Sequence, residues 1–292
     1  MASTVNTKLF LKLMALSTIG ALALTCQGWL DSNRCVHIQY WQCTQYLPKT
    51  HGMLLRKSMI AHLPASPVGF PDPESATPDG LLAVGGDLTP PWLLTAYYHG
   101  IFPWYSEGDP ILWWATNPRW VITPEALRIN RTLRKLLRKQ AYQIRVNQAF
   151  SQVIQACAEP RDGQPGTWIT DDMQAAYIRL HELGYAHSIE VWQNEALVGG
   201  LYGIALGDVF FGESMFSRAP SASKVALVAL AKQSWVKLID CQAHTHHTES
   251  LGAIAMARSD FRALLSTYIP LPLAPTAVKF ADENSFNRAT SL

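Results

Sequence analysis

Three polar residues stand where the chain around them is otherwise apolar. In the stretch Gly207 to Arg218, GDVFFGESMFSR, Glu213 is set among aromatic and large apolar neighbours. Burying a carboxylate in such company is costly unless the charge is paired or the group takes up a proton. Two readings are open: a structural ion pair with Arg218, or the polar anchor of an apolar pocket that receives a ligand. Gly212 beside it suits a backbone that something else approaches closely. The other two, Asp240 and Gln242, close the apolar strand LIDCQ, where alternation puts both on one face. Polar groups at a strand end serve either turn chemistry or catalysis.

A second group could ligate metal. His244, His246 and His247 follow Cys241, and imidazole and thiolate are zinc's usual ligands. Adjacent histidines cannot easily share one tetrahedral ion, and no second ligand group at finger-like spacing appears. The expectation is therefore no metal here, and no organic cofactor is expected either. Trp104 in FPWYS and Trp168 in PGTWIT lie in Gly- and Pro-flanked polar segments, where either core packing or stacking on a base would employ them.

The net charge of +2 is too small to imply a nucleic-acid partner, so placement has to carry that argument. Between Ala126 and Ala158 there is no Asp or Glu, yet Arg128, Arg131, Arg134, Lys135, Arg138, Lys139 and Arg145 fall there. On a helix, Arg128, Arg131, Lys135, Arg138 and Lys139 form a stripe about 100° wide, with Ile129, Leu133, Leu136 and Leu137 on the other side. A merely solvated face usually interleaves both signs. A single sign suits a phosphate backbone.

The elements that must position these residues read as follows. Residues 61 to 122 form a small N-terminal domain, because 61 to 124 hold eleven of the eighteen prolines and five of the ten tryptophans. One helix is expected inside it, capped by Asp87 or Thr89, with Pro90 in its first turn and Gly100 at its end. From 123 to 292 helix and strand alternate. Helices are expected near 127–139, 148–158 and 171–183, and strands near 187–193 and 196–206 joined by a turn at Asn194 and Glu195. A strand near 208–215 then leads to a helix from Ser221 to about Trp235, a strand Leu238 to Cys241, and a last helix opened by Ser259. That order predicts an α+β domain with a mainly antiparallel sheet. Residues 1 to 60 read as a poorly ordered leader. Lys8 and Lys12 precede an apolar run, Leu13 to Thr25, that looks like a secretory signal and is too short to span a bilayer. Met53 and Met59 offer internal starts, and the two distant cysteines Cys157 and Cys241 favour a reducing compartment over a disulfide framework. The expectation is a cytoplasmic protein without a membrane partner.

Taken together, LLAVGGDL from Leu81, GIFPWYSEGDPILWW from Gly100, GTWIT from Gly166, LHELGYAHSIEVW from Leu180, GESMFSR from Gly212 and LIDCQ from Leu238 closely resemble the leucyl/phenylalanyl-tRNA–protein transferases. The resemblance runs from about residue 65 to 268. It implies transfer of leucine or phenylalanine, possibly methionine, from aminoacyl-tRNA to proteins with an N-terminal Arg or Lys, marking them for degradation. A monomer is expected, and the resemblance implies an acetyltransferase-like larger domain. Carried over, it makes Trp104 and Trp168 partners of the terminal adenosine, and Leu201, Phe210, Gly212, Glu213 and Leu230 the aminoacyl pocket. It assigns Asp240, Gln242 and Glu213 to catalysis, and Arg131, Lys135, Arg138 and Lys139 to tRNA. Leu201 and Leu230 stand where the family carries larger residues. Whether Glu213 serves the donor or the acceptor's cation stays open.

Two other functions compete. An acetyl-coenzyme A transferase would need a Gly-rich pyrophosphate loop that the sequence lacks. A non-catalytic RNA-binding module would explain the basic stripe but not Glu213, Asp240 and Gln242.

Overall fold

A computed structural model describes residues 60–160 and 167–274. The expected leader, save Ile60, and the tail after 274 lie outside the described residues. Two sheets are present. Strands β1 (Ala61–Leu63), β2 (Leu81–Gly85), β3 (Phe102–Pro103) and β4 (Leu112–Trp114) form a four-stranded sheet in the order β1-β2-β4-β3. The larger sheet contains β5 (Arg119–Ile122), β6 (Gln143–Val146), β7 (Ala186–Gln193), β8 (Ala196–Leu206), β9 (Val209–Ser217), β10 (Leu238–Asp240) and β11 (Ile254–Met256). Its order is β11-β5-β10-β9-β8-β7-β6, antiparallel throughout except where β10 runs parallel to β9. The class is α+β with a mainly antiparallel sheet, as the alternation of elements predicts.

Helices cover the large sheet on both faces. On one face, α1 (Pro90–Tyr98), α3 (Phe150–Ala158), α4 (Asp171–Glu182) and α7 (Arg258–Tyr268) share a core that includes Tyr97, Trp113, Val153, Tyr177, Tyr202, Phe211 and Phe261. On the other, α2 (Arg131–Arg138) and α5 (Ala222–Ala231) pack Leu133, Leu137, Val225 and Leu230 against Ile189, Leu201 and Phe210. The first core takes residues from both sheets, so the aromatic N-terminal segment helps to hold the face that carries α4. A short α6 (His246–Ser250) follows β10.

Several elements lie where periodicity puts them. Pro90 opens α1, Gly100 follows it at φ +75°, and Asn194 and Glu195 take the left-handed conformations, φ 48° and 59°, of a tight hairpin. Others are shorter than expected. The basic helix begins at Arg131, because Asn130 caps it by accepting from the Leu133 N–H at 2.8 Å. Arg128 is outside it, in extended chain whose N–H bonds to the Leu251 carbonyl at 2.8 Å. The helix expected to reach Trp235 stops at Ala231, where the Gln233 side chain donates to the Ala229 carbonyl at 3.0 Å and occupies a last-turn acceptor. The last helix starts at Arg258 with Ser259 inside its first turn, and β10 ends at Asp240, before Cys241. Strands β6 and β11 and helix α6 were not expected, being too short to show a period.

Packing is especially close at Gly203 on β8. A Cβ there would lie 2.1 Å from the Phe211 carbonyl oxygen and 2.6 Å from the Phe210 ring. A Gly203→Ala variant is expected to lose about 3 kcal/mol of stability, read as a fall in urea midpoint at unchanged m-value.

Candidate active site

Glu213 sits at a slip in register between β8 and β9. Tyr202 pairs with Ser214 and Gly203 with Gly212, leaving Glu213 with no opposite residue. A bulge of this kind carries one extra residue on one strand, so simple alternation fails across it. Accordingly Phe211 belongs to the core shared with α1 and α4, whereas Met215, four residues on, packs against the cluster under α5. The Glu213 side chain is buried and points to the first of these. It accepts from the Tyr97 hydroxyl at 2.7 Å, the Tyr177 hydroxyl at 3.0 Å and the Gln242 amide at 2.8 Å. The two tyrosine hydroxyl oxygens also lie against each other, so one of the three contacts among these hydroxyls and the carboxyl uses a proton of Glu213 whenever the carboxyl is protonated. Burial pushes the Glu213 carboxyl up to about 7, opposed by the bonds from Tyr97, Tyr177 and Gln242 and reinforced by the nearby Asp240 charge. Burial, and then the Glu213 charge, raises both tyrosines well above their ordinary range, so they remain neutral donors.

Asp240 is fully enclosed. Its carboxylate accepts two bonds from Arg119, Nε at 2.8 Å and Nη2 at 2.6 Å, and a third from the Gln242 backbone N–H at 2.9 Å. The Arg119 guanidinium lies between the rings of Phe102 and Phe261, 4.7 and 4.9 Å from their centroids. Asp240 and Gln242 do not share a face by simple alternation. The chain leaves β10 after Asp240, and Gln242 takes φ +58°, a left-handed conformation costly for a residue with a Cβ. Its carbonyl is fixed by the Trp120 N–H at 3.2 Å and the Thr116 hydroxyl at 3.1 Å. The turn thereby swings the Gln242 amide onto Glu213.

The other expected site residues divide between places. Gly212 lies beside β10, where a Cβ would be 3.3 Å from the Asp240 carbonyl oxygen. Leu201, Phe210 and Leu230 are buried together in the cluster under α5, on the face of the sheet away from Glu213. Trp104 and Trp168 are both half-buried against the core shared with α4, and the Tyr105 and Thr170 side chains close to them in sequence lie near each other. Arg131, Lys135, Arg138 and Lys139 are exposed along and just beyond α2, and none of the four forms an ion pair among the described residues. Arg218 pairs with Glu159 instead of Glu213. Beside it an open cleft of about 410 Å³ is lined by Met215, Phe216, Arg218, Glu159, Ser223 and His247.

Three residues of this site escaped sequence reasoning. Tyr97 has helical spacing with Trp92, Leu93 and Ala96 and reads as core, and Tyr177 reads likewise on its own helix. Arg119, between Pro118 and Trp120, looks like a loop cation. The signal that could have found it is a basic residue inside a strongly apolar stretch, RWVI.

Comparison with known proteins follows the same residues. The family model described as leucyl/phenylalanyl-tRNA protein transferase matches residues 121–266, and the model for that family's N-terminal domain matches 86–117. The leucyl/phenylalanyl-tRNA–protein transferase of Chromohalobacter salexigens is 55% identical over 221 residues, 74% of this chain and 86% of its own length. The Stutzerimonas stutzeri protein of the same name is 52% identical over 74% of this chain and 98% of its own. That of Pseudomonas entomophila is 52% identical over 76% of this chain and all of its own, 100%. A solved GCN5-related N-acetyltransferase from Kribbella flavida aligns at 11% identity over 57% of this chain and 61% of its own, with a TM-score of 0.31.

A raised carboxyl gives a signed stability test. With the folded value near 7 and the ordinary one near 4.5, the folded state holds a proton that the unfolded chain loses across that window, so stability falls as pH rises through it. Glu213→Gln removes this dependence. Its stability relative to the parent should be nearly level below pH ~4.5 and improve by on the order of 1–3 kcal/mol above pH ~7, measured by urea unfolding at pH 4.5 and 8.

Proposed function

The chain belongs to the leucyl/phenylalanyl-tRNA–protein transferase family, and from that membership we propose that it moves leucine or phenylalanine from aminoacyl-tRNA to the α-amino group of proteins beginning with Arg or Lys. It acts as a cytoplasmic monomer, where charged tRNA and such acceptors meet. Among the described residues no helix is long and apolar enough to cross a membrane.

The observation that carries the mechanism is the double hold on Gln242, whose backbone N–H is bound by Asp240 at 2.9 Å and whose side-chain amide donates to Glu213 at 2.8 Å. With its N–H fixed on Glu213, the amide turns its oxygen out as an acceptor. That oxygen receives a hydrogen bond from the incoming amine and aims its lone pair at the ester carbonyl. An α-amino group has a pKa near ~8, so a useful fraction is uncharged at neutral pH. The amine nitrogen bonds to the carbonyl carbon, the bond from that carbon to the ribose oxygen breaks, and the proton lost by nitrogen ends on the departing oxygen. An ester is already activated, so positioning suffices without a strong base. Asp240, enclosed by Arg119, is a positioning residue that acts through the Gln242 backbone.

Trp104 and Trp168 stack on the terminal adenosine of the donor, supported by their half-exposed rings and neighbouring segments. The cleft beside Met215 takes the donor's apolar side chain. Leu201, Phe210 and Leu230 act from behind the strand that bears Gly212, setting how firmly it is held. The unpaired cations of α2 take the tRNA backbone.

The primary test is transfer of labelled phenylalanine from Phe-tRNA to a peptide beginning with Arg. Silence there, and with Leu-tRNA and Met-tRNA, would leave only tRNA binding as the function. Gln242→Ala is expected to lower kcat by about 100-fold at little change in KM for tRNA. An Asp240→Asn variant that folds and keeps the full rate would overturn the role given to that turn. Replacing Arg131, Lys135, Arg138 and Lys139 by Gln should weaken tRNA binding for every donor alike. The slope of log affinity against log salt should become shallower by about 0.9 for each duplex phosphate that the variant no longer neutralises, read by filter binding across a salt series.

A further inference from the structure

The segment after Gln242 carries three ligand-type side chains that the transfer reaction does not use. His244, His246 and Glu249 bring one ligand atom each to within 4.8 Å of one another. The Nε2 of His244 is 3.0 Å from a Glu249 carboxylate oxygen, and the Nδ1 of His246 is 3.9 Å from the same oxygen. Adjacency argues against His246 and His247 sharing an ion. The fold supplies another set, with Glu249 one helical turn beyond His246 on the same face of α6.

The backbone under these groups is fixed. Thr245 and Thr248 form a reciprocal cap at the start of α6, each side chain bonding the other's backbone N–H at 3.0 and 3.3 Å, which sets the first turn. The His244 ring lies 4.4 Å from the Trp120 ring, so its direction is held by the large sheet. Cys241 takes no part, since its sulfur is not among the ligand atoms gathered within 4.8 Å of one another.

We infer that His244, His246 and Glu249 form a binding site for a divalent transition-metal ion of the zinc class. Two imidazoles and one carboxylate are a donor set suited to zinc, leaving one coordination position to water. Metal–ligand bonds of about 2.0–2.2 Å in a tetrahedron separate neighbouring ligand atoms by roughly 3.3 Å. The two histidine–carboxylate distances of 3.0 and 3.9 Å bracket that spacing, and all three atoms lie within 4.8 Å of one another, so an ion would need only to draw exposed side chains together. A hard ion such as magnesium, which favours oxygen ligands, is a poor fit. Bound metal would pin the chain from His244 to α6, immediately beyond Gln242.

The test is calorimetric titration of zinc chloride into the tag-free, chelator-washed full chain, with cobalt(II) absorption as the probe of geometry. One zinc per chain, cobalt bands of four-coordinate intensity and no competition by magnesium are expected. His246→Ala and Glu249→Gln should each weaken zinc by more than about tenfold, while His247→Ala should not. All three positions are exposed, and circular dichroism checks that the variants fold. Absence of zinc binding, or zinc binding undiminished in the His244→Ala/His246→Ala double variant, would overturn the assignment.

Discussion

A guanidinium and a carboxylate buried together must satisfy each other, because neither has water to fall back on. Arg119 and Asp240 pair through two bonds of 2.8 and 2.6 Å across the pairing of β5 with β10, and the Arg119 Nη1 has no hydrogen-bond partner among the described residues. Aromatic rings from β3 and α7 close over the cation, so the small sheet, the large sheet and the last helix all meet at this charge. A further lone pair of Asp240 is given to the backbone of Gln242. A turn that would otherwise relax from its left-handed conformation is thereby kept.

From that turn the arrangement extends to Glu213 through neutral donors alone. Tyr97, Tyr177 and Gln242 supply three hydrogen bonds and no positive charge. Burial lifts that carboxyl to about 7, and the dipoles that solvate it, with no ion pair beside them, oppose the rise only in part. The group is polar in either protonation state, and the amide of Gln242 can be held by both. Among the described residues no cation pairs with Glu213: Arg119 is held by Asp240, Arg218 by Glu159 and Arg145 by Glu195, and the α2 set faces outward.

Local patterns were legible and distant pairings were not. The hairpin of β7 and β8 and the helices α3 and α4 follow from alternation, capping and turn residues, all of which act within a few positions. Glu213, Asp240 and Gln242 stood out as polarity misplaced in apolar chain. Their partners were not visible, because Tyr97 is 116 residues from Glu213 and Arg119 is 121 from Asp240. Strict alternation also fails at both strands. It would put Met215 on the face of Phe211 and carry Gln242 along with Asp240, whereas a bulge in one strand and a left-handed turn after the other redirect the side chains. Resemblance to a family identified the right segments without revealing that Asp240 is sealed in, or that Glu213 faces away from Leu201, Phe210 and Leu230.

The bulge at Glu213 also says what the carboxylate is to the sheet. Phe211 and Phe216 are an odd number of residues apart yet share a core, which a regular strand forbids and one unpaired residue permits. Were Glu213 deleted, Ser214 would follow Gly212 in ordinary pairing, and Met215 and Phe216 would keep the faces they have. Removing any other residue of β9 would instead leave the bulge to be absorbed elsewhere or pull the carboxylate into the ladder. The sheet is thus complete without Glu213, and the acid is in effect an insertion tolerated by a framework already in phase. The hairpin at Asn194 and Glu195 is the opposite case, since residues added at its tip leave both strands aligned and bring nothing into the interior. Length can vary freely at one end of β8, while the single extra residue in the strand beside it is where the fold has made room for a buried acid.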